Sequence, residues 1–90
     1  MMEVHLATQH VRSLRQAASA LKAVRKAHGL TQGQLAARTG SAQSTISDIE
    51  NGVTSVSLDV YLRLLEALDA ELVVAPRGGP PGRNIKVNGS

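Results

Sequence analysis

Ninety residues give room for one small domain, and ten Lys+Arg against seven Asp+Glu leave a formal charge of +3. The chain has no cysteine, which excludes a disulfide frame, a thiolate nucleophile and a Cys-ligated zinc site. Tyr61 is the sole aromatic residue; with Ala, Leu and Val as filler, a monomer of this size buries only about 60 to 65% of its unfolded surface, so self-association is expected.

Residues 1–12 read as an arm in which Met2, Val4 and Leu6 alternate with polar neighbours, the pattern of a short strand. No stretch approaches the ~18 apolar residues of a membrane span, and residues 1–10 lack the cationic start and apolar run of a leader, so a cytoplasmic protein is expected. Ser13 and Gln16 then have the spacing of a capping box. They open a first helix, about 13–28, in which Leu14, Ala17, Leu21, Val24 and Ala27 recur at helical spacing. Arg25, Lys26 and His28 crowd its last turn, where cations suit the helix dipole, and Gly29 supplies the stop.

Thr31 caps a short second helix through Gln34, Leu35, Ala36 and Arg38 that Gly40 ends. Ser41 or Ala42 opens a third, with Ile46 and Ile49 inward and Gly52 at its close. Two helices of about two turns joined through Thr39-Gly40-Ser41 have the lengths and turn chemistry of a helix-turn-helix. Ser57 caps a fourth helix whose stripe, Leu58, Tyr61, Leu62, Leu65 and Leu68, should form the main core wall. Residues 71–75, with Leu72, Val73 and Val74, turn β-branched and lose the helical period, which predicts a strand ended by Pro76. So short a strand needs a partner, either Met2 to Leu6 or its copy in a second chain. Residues 76–90 hold four Gly and three Pro and no apolar face, and read as a flexible tail.

Charge is partitioned along the chain. Up to Ser47 six basic residues (Arg12, Arg15, Lys22, Arg25, Lys26, Arg38) meet only Glu3; from Asp48 to Ala75 Arg63 faces Asp48, Glu50, Asp59, Glu66, Asp69 and Glu71. These are either two solvated faces or a basic half suited to a polyanion beside an acidic half turned elsewhere. An enzyme is not expected. His5, His10 and His28 lack the spacing of a ligand set, no Gly-rich loop follows a strand, and no nucleophile has a base beside it, so no metal or cofactor is implied.

The series Arg25, Gly29-Leu30-Thr31-Gln32, Leu35-Ala36, Gly40, Gln43, Ile46-Ser47 and Ile49-Glu50-Asn51-Gly52 resembles the phage-repressor-type (Cro/C1, Xre) DNA-binding domain over roughly residues 20–70. The resemblance implies a mainly α, lambda-repressor-like four-helix domain, here 13–75, whose third helix enters the major groove. Gln43, Ser44 and Ser47 would then read base edges, since Gln pairs in bidentate fashion with adenine and Ser serves any base. Thr31, Gln32, Ser41 and Asn51 at helix ends would hold phosphates, with Arg38 and Lys22 adding charge. Thr31 and Ser41 are equally explained as N-caps. The resemblance also implies that Arg25 and Glu50 form a structural ion pair between the first and third helices. Asp48 departs from the expected chemistry, because a carboxylate beside the groove repels phosphate unless it caps a helix, pairs with Arg38 or accepts from a cytosine amino group.

A helix-turn-helix running into a short apolar strand and a loose tail is similar to HipB-type antitoxins. That likeness implies a homodimer paired through Leu72, Val73 and Val74, a palindromic DNA operator, and an acidic side that holds a HipA-type kinase toxin. A stand-alone Xre-type regulator without a toxin, and a protein-interaction adaptor that does not touch DNA, are the alternatives.

Overall fold

The computed structural model describes residues 8–77, which form four helices: α1 (Leu14–Ala27), α2 (Gln32–Thr39), α3 (Gln43–Glu50) and α4 (Leu58–Ala67). The expectations placed on Met2 to Leu6, on His5 and on the tail from residue 78 lie outside the described residues.

Local chemistry explains where the helices begin and end. Ser13 Oγ accepts from the Gln16 N–H at 3.1 Å, but the Gln16 side chain accepts from the Arg12 N–H and not from Ser13, so the box expected there is offset by one residue. At α2 the box is complete: Thr31 Oγ1 accepts from the Gln34 N–H at 3.1 Å and Gln34 Oε1 from the Thr31 N–H at 2.9 Å. Gly40 ends α2 at φ 68°, a left-handed conformation that costs glycine nothing and lets the chain reverse into α3 within three residues. Ser57 Oγ caps α4 by accepting from the Val60 N–H at 3.2 Å.

The helices meet on one core of Leu21, Val24, Leu35, Ala36, Ile46, Ile49, Tyr61, Leu64, Leu65 and Leu68. Tyr61 ties α4 to α1 with a hydrogen bond donated to the Ala17 carbonyl at 2.7 Å. Two features of the expected stripes do not hold. In α4 the buried face is Tyr61, Leu64, Leu65 and Leu68, whereas Leu58 is 65% and Leu62 41% exposed. In α1 Leu14 and Ala27 face solvent, and Ala18 and Ala20 are buried instead. A helix with apolar residues on most of its circumference has several stripes of equal period, and tertiary contacts choose among them.

Residues 71–75 carry no β-ladder among the described residues, and their side chains are exposed. A strand is defined by its partner, and within residues 8–77 none lies alongside it. The segment and residues 8–12 instead wall a groove of about 520 Å³ floored by Ala20, Val24, Tyr61 and Leu65.

Candidate nucleic-acid interface

The angle between the two-turn helices is fixed from beneath by a buried ion pair. Arg25 Nε donates to Glu50 Oε2 at 2.7 Å and its Nη2 to Glu50 Oε1 at 2.9 Å, while Nη1 donates to the Leu30 carbonyl at 2.7 Å. The guanidinium therefore clamps the end of α3 and the α1–α2 turn to α1. Glu50's hydrogen bond, and secondarily its charge, hold the Arg25 proton more firmly than usual, outweighing the opposing effect of burial. The structural pair implied by the resemblance is present, and neither residue is open to a ligand.

On the other side of α3 the chain leaves polar groups open. Ala42 is the N-cap and makes no side-chain hydrogen bond. The Ala42 carbonyl accepts from Thr45 and Ile46, so the Gln43 and Ser44 N–H groups stand ahead of the first helical bond and have no partner among the described residues. The Gln43 and Ser44 side chains are exposed beside them, and Ser47, one turn on, is half-buried with its Oγ accepting from Asn51 Nδ2 at 3.3 Å. Amides, an amide side chain and two hydroxyls thus share one solvent-facing edge, opposite the buried Ile46 and Ile49. Such an edge presents donors and acceptors in the pattern that base edges and phosphates require.

The neighbouring residues are placed less uniformly. Thr31 is a cap whose hydroxyl proton has no acceptor among the described residues, and the first-turn N–H groups of Gln32 and Gly33 precede the first helical bond of α2, at Leu35. The Gln32 side chain turns inward, donating from Nε2 to Glu50 Oε1 at 3.2 Å, so its exposed donor is the backbone. Ser41 does not cap α3; its hydroxyl is hydrogen-bonded to that of Thr39 at 3.1 Å in the turn. Arg38 and Asp48 are both exposed, and among the described residues neither forms an ion pair, with each other or with any other group. Gly33 is a feature that motif reading passed over. A β-carbon there would stand 3.4 Å from Gln43 Oε1 and 3.9 Å from Thr31 Oγ1, ordinary contact distances, so the exposed Gln43 amide lies alongside the first turn of α2. A glycine in the first turn of a helix, where it has no conformational reason to be, was the available signal.

Comparison with known proteins gives this geometry its kin. The Helix-turn-helix family profile matches residues 21–74. The antitoxin HipB of Escherichia coli O6:H1 is 36% identical over 66 residues, 73% of this chain and 70% of that protein. Among solved structures, a HipB-O4 20mer complex aligns with a TM-score of 0.70 at 33% identity, over 78% of this chain and 99% of the other. A HipA-HipB-O2-O3 complex aligns at 0.69 and 33%, with the same coverage. The matched segment contains every helix of the interface and most of the core, and on that ground the chain belongs to the helix-turn-helix family, phage-repressor type, and is similar to HipB antitoxins.

Proposed function

We propose that this chain is a sequence-specific DNA-binding transcriptional repressor that works as a homodimer on a palindromic operator. In this reading it represses its own operon and, as the antitoxin of a HipBA-like pair, holds a HipA-type kinase toxin on the acidic side formed by α4 and residues 69–71. The observation that carries the reading is the uncapped first turn of α3, where Gln43 and Ser44 stand exposed beside backbone donors that have no partner among the described residues. Laid in the major groove, that turn lets the Gln43 amide meet an adenine edge while Ser44 and Ser47 approach neighbouring bases. Thr31, the first amides of α2, Ser41, Asn51 and Arg38 would fix the register on phosphates. The likeness to a protein named as an antitoxin and to a structure holding HipA with HipB supports the toxin partnership.

The test is a duplex selected by the protein from a randomised pool. Gln43→Ala is expected to weaken binding by about 5- to 150-fold, the worth of one bidentate pair, and to abolish preference at one A·T position. The melting temperature should not move, because Gln43 is exposed. Unchanged affinity and preference would remove Gln43 as a base reader. Co-elution of the kinase-like product of an adjacent reading frame is the parallel result expected for the antitoxin role, and its failure would leave a stand-alone regulator.

A further inference from the structure

We propose that the outer ridge of α1 is a second phosphate-binding surface, which grips the DNA backbone beyond the half-site that α3 reads; it rests on the DNA-binding reading above. Arg15, Ser19, Lys22 and Lys26 are spaced four, three and four residues apart, so at ~100° per residue they fall within about 60° of one another on one side of the helix. All four are exposed. α1 contains no acidic residue, and among the described residues none of the three cations takes part in an ion pair. The ridge runs about 16 Å at ~1.5 Å per residue, long enough to lie along several phosphates.

Its side of the molecule follows from what the rest of α1 touches. Ala20 and Val24 turn toward Tyr61 and Leu65 of α4 and floor the groove there. Arg25 turns toward Glu50 at the end of α3. On the helical wheel the cationic ridge lies about 90° past Arg25, going away from Ala20 and Val24. The ridge thus points outward from α1, nearer the α3 side of the domain than the α4 side, where Asp59, Glu66, Asp69 and Glu71 are exposed. A surface of two lysines, one arginine and one hydroxyl, with no aromatic or acidic side chain among them, suits a uniform polyanion more than a shaped ligand. The backbone of the same duplex, continued past the bases under α3, is the polyanion that geometry brings alongside.

The experiment uses the full chain and its triple variant Arg15→Gln, Lys22→Gln, Lys26→Gln. Each is titrated at several salt concentrations against a pool-selected duplex of about 16 base pairs, spanning both half-sites, and against the same site embedded in about 40 base pairs. On the long duplex the variant is expected to bind at least 10-fold more weakly at low salt. Its plot of log K against log salt should be shallower by roughly 2 to 3, at about 0.9 per lost phosphate contact. On the short duplex the two proteins should agree. Arg63→Gln, which removes one cation from α4, controls for net charge and should leave both slopes unchanged. Equal affinities on the long duplex would overturn the proposal, and so would an equal loss on both lengths, which would place the ridge inside the half-site. A variant that differs only in self-association without DNA would assign the ridge to the acidic side of another copy and overturn it too. If the unmodified chain binds no duplex, the DNA-binding reading fails first; if it binds and the variant matches it, only this inference falls. Should the triple variant melt early, Lys22→Gln with Lys26→Gln carries the same test with a slope change of roughly 2.

Discussion

Tyr61 shows how much one side chain contributes in a core built otherwise of Leu, Ile, Val and Ala. Its ring is buried between α1 and α4 and its hydroxyl donates to the Ala17 carbonyl. Burial pushes its phenol above the ordinary value of 10.0, because ionisation would strand a charge in the core. The folded chain therefore holds this proton more tightly than the unfolded chain does. Its stabilising contribution is full below pH 10 and is lost as the pH rises from there through the folded value. Tyr61→Phe should cost about 1 kcal/mol, the net worth of the hydrogen bond, at neutral pH. Denaturant titrations of both proteins at pH 7, 9 and 10.5 should show a constant gap up to pH 9 and a smaller one at 10.5; a gap that widens there would mean the phenol ionises more readily folded than unfolded. At this scale the sequence was unevenly informative. The Arg25–Glu50 pair was visible because two charges stood at a spacing the resemblance made meaningful. The inward turn of Gln32 and the approach of the Gln43 amide to Gly33 were not, since both depend on how closely α2 and α3 approach in space.

Among the elements, α3 departs from the rule its neighbours follow. α1, α2 and α4 each begin with a Ser or Thr hydroxyl that accepts a first-turn N–H, while α3 begins with Ala42 and no side-chain cap. Ala at an N-cap forgoes roughly 1 kcal/mol relative to Ser, Asp or Asn, and a loss of that kind in the helix proposed to read bases fits the use of its first-turn amides for binding. Ala42→Asn should raise the melting temperature by about 4 to 8 °C, the shift that 1 kcal/mol produces in a domain of this size. Ala42→Asp should stabilise similarly but also weaken duplex binding at least 10-fold, because it sets a carboxylate where phosphate or base acceptors must come. Calorimetry and anisotropy on the same samples would check both, and an aspartate variant that is stabilised and still binds fully would move the DNA-facing turn away from Ala42. The first three helices were legible because Gly29, Gly40 and Gly52, with capping residues between them, leave few other ways to divide the chain. The face of α4 was not, because Leu58, Leu62 and Leu64 fit competing stripes of one period, and only packing into the shared core selects Leu64.

For the molecule as a whole, the apolar residues left outside the core matter most. Leu58, Leu62, Leu72, Val73 and Val74 are exposed, Val74 fully so, and a small soluble domain rarely leaves so much apolar surface on its α4 side without a partner. Residues 71–75 have strand-forming side chains and no ladder among the described residues, so forming a strand would require an edge supplied from elsewhere. Pairing with its copy across a two-fold axis would supply that edge and cover the neighbouring leucines. It would also set two copies of α3 at a fixed separation, as a palindrome with half-sites ~34 Å apart requires. Along one edge of a strand only alternate N–H groups face the partner, so either Val73 or Val74 donates across the interface and the other does not. Proline lacks that donor. One of Val73→Pro and Val74→Pro should therefore raise the dimer dissociation constant at least 10-fold, and the other should do much less. In sedimentation at micromolar concentration the affected variant should run at the mass of one chain and the unmodified protein at twice that mass. The same variant should lose its preference for a two-half-site duplex over a single half-site, while Gln43 still reads its base in each. Two proline variants that both remain dimeric would place the contact on α4 through Leu58 and Leu62, and the spacing between reading helices would then be set by helix packing instead of a shared sheet.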